Sequence, residues 1–249
     1  MLPRGPAGES DASRRSGEYP DRVGPQHVGH IVGWLLGSAA APIVLGSLIG
    51  PRGAWIGALC AGLATAWLLL WLPRAAHGAF EAARFSRAAR RYRLLGSLAF
   101  TRKRERAAAL SRAGCSIAAG ELGAASAVLD AIDPATLDAA ERVVWLNNRA
   151  CVALEGGADA AGALAWVEEA TALRPDVPAI QHTRAKALLA VGRVDDAIAV
   201  LDAMRSGGEL PPYLEAERCR ELALAWERKG QSAYAADYRE RARLQAVAS

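Results

Sequence analysis

The sequence predicts an all-α protein, a transmembrane helical hairpin followed by a helical-repeat solenoid. Three observations predict it. Two apolar runs, 28–49 and 54–72, contain no Asp, Glu, Lys or Arg. A short corner, Gly50-Pro51-Arg52-Gly53, joins them. Beyond them, Gly120, Gly157, Gly192 and Gly230 recur every 35 to 38 residues through an Ala/Leu-rich remainder.

The chain has 249 residues, 52% of them hydrophobic, and a formal net charge of +4. The part that follows the apolar runs is long enough to bury a core of its own. Cys60, Cys115, Cys151 and Cys219 form no CxxC pair, which excludes a zinc ribbon and a thioredoxin-like motif. Three of the four sit in Ala-rich helical patterns, where Cys acts as a small core residue.

Residues 1–27 are rich in Pro, Gly, Ser, Arg and Asp and nearly devoid of aliphatic side chains. Such a segment buries too little apolar area to offset the entropy of ordering, so a disordered cytoplasmic tail is expected. The apolar run after it starts too late and runs too long for a signal peptide. His27 and His30 stand three apart, but no Asp, Glu or Cys nearby completes a metal ligand set, so no metal site is expected.

Each apolar run is about 20 residues long, which at ~1.5 Å per residue matches a ~30 Å hydrocarbon core. Leu68-Leu69-Leu70-Trp71-Leu72 is apolar all round, unlike a soluble amphipathic helix. Trp34, Trp55, Trp67 and Trp71 fall towards the ends of the runs, as interfacial aromatic belts do. Gly29, Gly33 and Gly37 share one helix face, and Ala54, Ala58, Gly62 and Ala66 another. These small faces suit packing of the two spans on each other, and the Gly29/Gly33/Gly37 face also suits a homodimer. The short corner makes the spans antiparallel. Arginine predominates after Leu72, so the positive-inside rule puts both termini in the cytoplasm of a multi-pass protein of the inner (plasma) membrane.

Residues 73–106 carry Phe80, Arg84, Ala88, Tyr92 and Leu95 at helical spacing, with arginines between them. The expectation is a basic amphipathic juxtamembrane helix, interrupted at Gly96 and Thr101, with Arg84, Arg87, Arg90 and Arg91 on anionic lipid head groups. An arginine run also suits nucleic acid, but the position beside an apolar span favours lipid, so no nucleic-acid partner is expected.

Residues 107–249 alternate Ala/Leu-rich helical stretches with glycine turns, and a period near 35 residues of helix pairs indicates a solenoid. The clearest unit runs from Ala179 to Met204, with the turn Val191-Gly192-Arg193-Val194-Asp195-Asp196. A small residue follows the turn glycine by five positions in Gly192/Ala197, Gly230/Ala235 and Gly120/Ala125. Cys151, Ala185 and Ala223 hold the small helix-crossing position, and Leu154, Leu188 and Trp226 the large one three later. In these features the chain resembles the tetratricopeptide repeat family over more than half its length. It departs from the pattern where Asn147, Gln181 and Cys219 replace an aromatic, and where no proline closes the unit ending at Met204.

The resemblance implies a concave groove lined by the first helix of each pair. It places Trp145, Asn148, Arg149 and Val152, then His182, Thr183 and Lys186, then Arg220, Leu224 and Arg228 on that groove. Arg149, Lys186 and Arg220 would collect a carboxylate or acidic peptide. No HExxH, GxGxxG, Walker or GxSxG motif occurs, and Glu168-Glu169 sits on a helix among alanines. No catalytic residue and no cofactor is expected. Two functions fit. One is a membrane-anchored cytoplasmic adaptor that binds another protein through the groove. The other is an accessory or regulatory subunit that meets a membrane enzyme or transporter through the hairpin.

Overall fold

The computed structural model describes residues 33, 37, 40, 42–157 and 159–247. They are helical throughout, with no strand among the described residues. The expected tail and most of the first apolar run lie outside them.

Residues 42–49 are helical, and the chain reverses at Gly50, whose φ of 74° is the left-handed conformation that glycine adopts freely. Gly53 lies so close to the Leu45 carbonyl that a Cβ there would stand 2.0 Å from it. Gly46 likewise meets Ala54. No described residue lies within 4 Å of a Cβ built at Gly33, Gly37 or Gly62, so among the described residues close packing of the two runs is seen at the corner. Gly29 lies outside the described residues.

From the corner one helix of 31 residues runs from Pro51 to Glu81. It comprises α1 (Pro51–Ala66), a π-helical turn (Trp67–Trp71) and α2 (Leu72–Glu81). The helix thus runs past Leu72, where the apolar run ends, and through Pro73. Proline lacks an N–H and crowds the carbonyl four residues back, and the widened π turn just before it accommodates both. Trp55, Leu59, Leu63 and Leu70 stand exposed along this helix. It is the one helix among the described residues long and apolar enough to cross a membrane.

The basic stretch over 73–106 is broken after Glu81 as well as between Ser97 and Arg102. α2 ends at Glu81, α3 spans Phe85–Ser97, and α4 opens at Arg102. Ala83 between α2 and α3 takes φ 53°, and Arg84 N–H donates back to the Ala79 carbonyl at 2.8 Å. That six-residue closure ends many helices, usually on glycine. Ala79 and Ala88 close on Cys115, with Phe80 and Tyr92 packed around them. The segment is thus bound to the helices that follow it.

Four further helix pairs complete the chain. They are α4 (Arg102–Ala118) with α5 (Leu122–Asp130), α6 (Ala139–Glu155) with α7 (Ala160–Leu173), α8 (Pro178–Ala190) with α9 (Val194–Ala203), and α10 (Pro212–Arg228) with α11 (Ser232–Val247). Local chemistry starts each first helix. Thr101 accepts from Arg104 N–H, and Asp138 and Glu141 form a reciprocal capping box. Pro178 and Pro212 occupy the first helical turn. Gly120, Gly157, Gly192 and Gly230 all take positive φ at the turns. At three of them the next N–H closes on the residue five back: Glu121 to Ser116, Arg193 to Leu188 and Gln231 to Trp226. Ala83 stands 37 residues before Gly120 and closes the same way, so the turn period begins one unit earlier than its glycines reveal.

Each first helix packs on the next first helix, α4 on α6, α6 on α8 and α8 on α10, and each second helix packs on the first helix of the following pair. The crossings are closed by alanines with no exposure, among them Ala125, Ala150, Ala163, Ala185, Ala197 and Ala235. Leu188, Leu189, Leu201 and Leu222 fill the space between α8, α9 and α10. Burying each such leucine contributes about 1.5–3 kcal/mol.

Candidate functional site

The residues expected along the groove separate into three groups. The first surrounds Trp145 and Arg149 on α6. Trp145 Nε1 donates to the Leu129 carbonyl at 3.2 Å, which pins α6 to α5. Arg149 lies over the Trp145 ring, 5.1 Å from its centroid, and pairs with Asp130 at 2.5 Å. Its charge is turned towards α5 and neutralised there.

Asn148 is buried, and its Nδ2 donates to the Leu110 carbonyl of α4 at 2.9 Å. It joins two helix pairs and leaves no amide for a ligand, which corrects its expected place on the groove. A buried amide is retained where it finds such a partner.

The third group is a polar cluster on α6, α8 and α10. Lys186 hydrogen-bonds Glu155, and Arg220 hydrogen-bonds Glu217. Cys151 Sγ stands 3.5 Å from Thr183 Oγ1, a further polar link between α6 and α8. Burial works against the Lys186 charge, but the Glu155 hydrogen bond and the Glu155 and Glu221 carboxylates outweigh it and leave the ammonium raised. His182 lies among these groups. Its burial, with the Lys186 and Arg220 charges, pushes it down to about 4, against an opposing hydrogen bond to the Glu217 backbone. It is therefore neutral at pH 7, and its buried Nε2 has no partner among the described residues. Burial also raises the Glu221 carboxyl, and Glu217 and Glu155 add to this against Lys186 and Arg228.

The expectation of three unpaired cations on one surface is thus corrected. Lys186 and Arg220 share a neighbourhood with His182, while Arg149 faces α5. Each of the three already has a carboxylate. Glu155, Glu217 and Glu221 were not among the expected groove residues, since among charged side chains the resemblance points to the cations alone. Their helical spacing was the available signal: Glu217 is three before Arg220, and Glu155 ends the helix that α8 packs against.

Of the arginines expected at a lipid surface, Arg84, Arg87 and Arg90 are exposed. Arg91 instead donates to the Ala75 carbonyl at 2.5 Å and lies over the Trp71 ring at 5.6 Å. It ties α3 to the base of the apolar helix. No three His, Cys, Asp or Glu side chains among the described residues are grouped to hold a metal ion.

No known protein-family model matches the chain, and no curated protein is detectably similar to it.

Proposed function

We propose that this chain is a membrane-anchored protein-interaction adaptor. The observation that carries the reading is the helix Pro51–Glu81, whose most apolar stretch is only 12% buried and whose last part, α2, packs on α3. Exposed apolar area on that scale belongs in lipid or against another apolar helix. At ~1.5 Å per residue the helix is about 46 Å long, more than a ~30 Å hydrocarbon core requires, so α2 projects beyond the bilayer and carries the pairs with it. The arginine excess supports a cytoplasmic position for the pairs and for both termini.

The likeness to tetratricopeptide repeats supports a protein as the partner, taken on the α6, α8 and α10 surface around His182, Lys186 and Arg220. An acidic segment would compete with Glu155 and Glu217 for these cations rather than meet bare charges. In this reading the chain is not an enzyme and carries no cofactor. A second reading has the exposed Trp55, Leu59 and Leu63 face meeting the membrane part of an enzyme or transporter, with the helix pairs regulatory.

Membrane fractionation and site-specific photocrosslinking in intact cells test both. A discrete protein adduct from probes at Arg220 or Leu224 is the result expected of the adaptor. Adducts only from probes at Trp55 or Leu63 favour the accessory subunit. Extraction of the chain by alkaline carbonate refutes the anchor common to both.

A further inference from the structure

A pocket of about 330 Å³ opens where the apolar helix meets the helix pairs. Leu69 and Pro73 of the long helix form one wall. Leu95 and Phe100 form the second, and Arg104 and Ala107 of α4 the third. Its volume is at the lower end of the ~300–1,000 Å³ typical of small-molecule sites. The lining is mainly apolar, with Tyr92, Ser111 and Arg104 as its polar residues.

We propose that this pocket holds one acyl chain of an anionic phospholipid, with the lipid phosphate on Arg104. The inference rests on the membrane anchor proposed above. Three features select this occupant. The Leu69–Pro73 wall belongs to the apolar helix itself, so a lipid enters from the bilayer without crossing water. Trp67 and Trp71 stack at that level, 5.5 Å between centroids, with Arg91 over Trp71. Aromatic rings backed by arginine mark the headgroup depth of a bilayer. Finally, Arg104 lines the pocket within a stretch, 73–106, whose basic residues are opposed only by Glu81 and Glu105, which favours an anionic headgroup over a zwitterionic one. Residues 1–27 supply a poor competitor, because Leu2 and Val23 are their only large aliphatic side chains.

The test uses the full chain in detergent, titrated with phosphatidylglycerol or phosphatidylcholine and read by native mass spectrometry. One tightly retained phosphatidylglycerol is expected, preferred by about tenfold over phosphatidylcholine, the scale of a charge-assisted phosphate contact. Ala107→Trp fills the pocket from its exposed rim and should abolish retention. Arg104→Gln leaves the apolar walls intact and should remove the preference between the two lipids. Arg243→Gln, on the last helix and not among the residues that line the pocket, should change neither. No retained lipid, equal retention of both lipids by the unaltered chain, or full retention by Ala107→Trp with unchanged helicity overturns the proposal. Flotation of each variant with liposomes reads the anchor separately. A chain that floats but retains no lipid refutes the pocket alone, whereas one that does not float refutes the anchor and the pocket with it.

Discussion

Arg218 is the largest fully buried side chain among the described residues, and it yields an asymmetric prediction. Its Nε and Nη2 donate to the two oxygens of Glu215, each at 2.7 Å, and its Nη1 donates to the Leu201 carbonyl at 3.2 Å. The guanidinium is 2% exposed and the carboxylate 19%. The pair lies within α10, and the third bond fastens α10 to α9. Glu215→Ala leaves a buried cation with one neutral acceptor. Breaking a buried pair from one side costs about 3–5 kcal/mol, and water reaching the partly exposed Glu215 side brings this towards about 3. Arg218→Met keeps most of the apolar volume and removes the charge. Glu215 then turns to solvent, and the loss is about 1 kcal/mol, the net value of an ordinary hydrogen bond. The double variant should resemble Arg218→Met, because no stranded charge remains. Urea unfolding of the full chain in mild detergent, followed by far-UV circular dichroism at constant slope, measures all three. Equal losses from the two single variants, or a greater loss from Arg218→Met, would refute the reasoning.

Three other outcomes are expected. His182 is held near 4 in the folded chain against an ordinary value of 6.5. The unfolded chain therefore binds the extra proton first, and stability falls as pH drops from about 6.5 to 4, by at most about 3 kcal/mol. Glu221, raised by burial, acts in the opposite sense in both chains, so the wild-type minus His182→Gln difference in urea midpoint across that range isolates the histidine; a flat difference contradicts its buried neutral state. Asn148→Ala should cost about 1–2 kcal/mol through the lost bond to Leu110 and a small cavity, whereas a ligand-contacting asparagine would lower partner capture without shifting the melt. Ala83→Gly relieves the positive φ at the end of α2 and should stabilise by up to about 1 kcal/mol, seen as a higher thermal midpoint; a lower midpoint would show that Ala83 is unstrained.

The all-α class was legible because it rests on local rules. Glycines at helix ends, capping residues before α4 and α6, and alanine at every crossing act over a few residues each, and the helix pairs follow from them. The apolar character of 54–72 was equally plain in composition. The extent of that helix was not. The apolar run stops at Leu72, yet the π turn before Pro73 carries the helix on to Glu81, and that accommodation depends on several consecutive carbonyls. The break at Ala83 was hidden because an alanine occupies a position that glycine usually marks, and it is held by packing of Ala79 and Ala88 on Cys115 and by the Arg91 bond to Ala75. The candidate site shows the same division. The expectation that His182, Lys186 and Arg220 share one surface comes from the tetratricopeptide resemblance, which implies that first helices stack in order. Spacing does not say which carboxylate a cation meets, or that Asn148 turns inward to Leu110. Those pairings join residues up to 38 positions apart, and the distances between packed helices decide them.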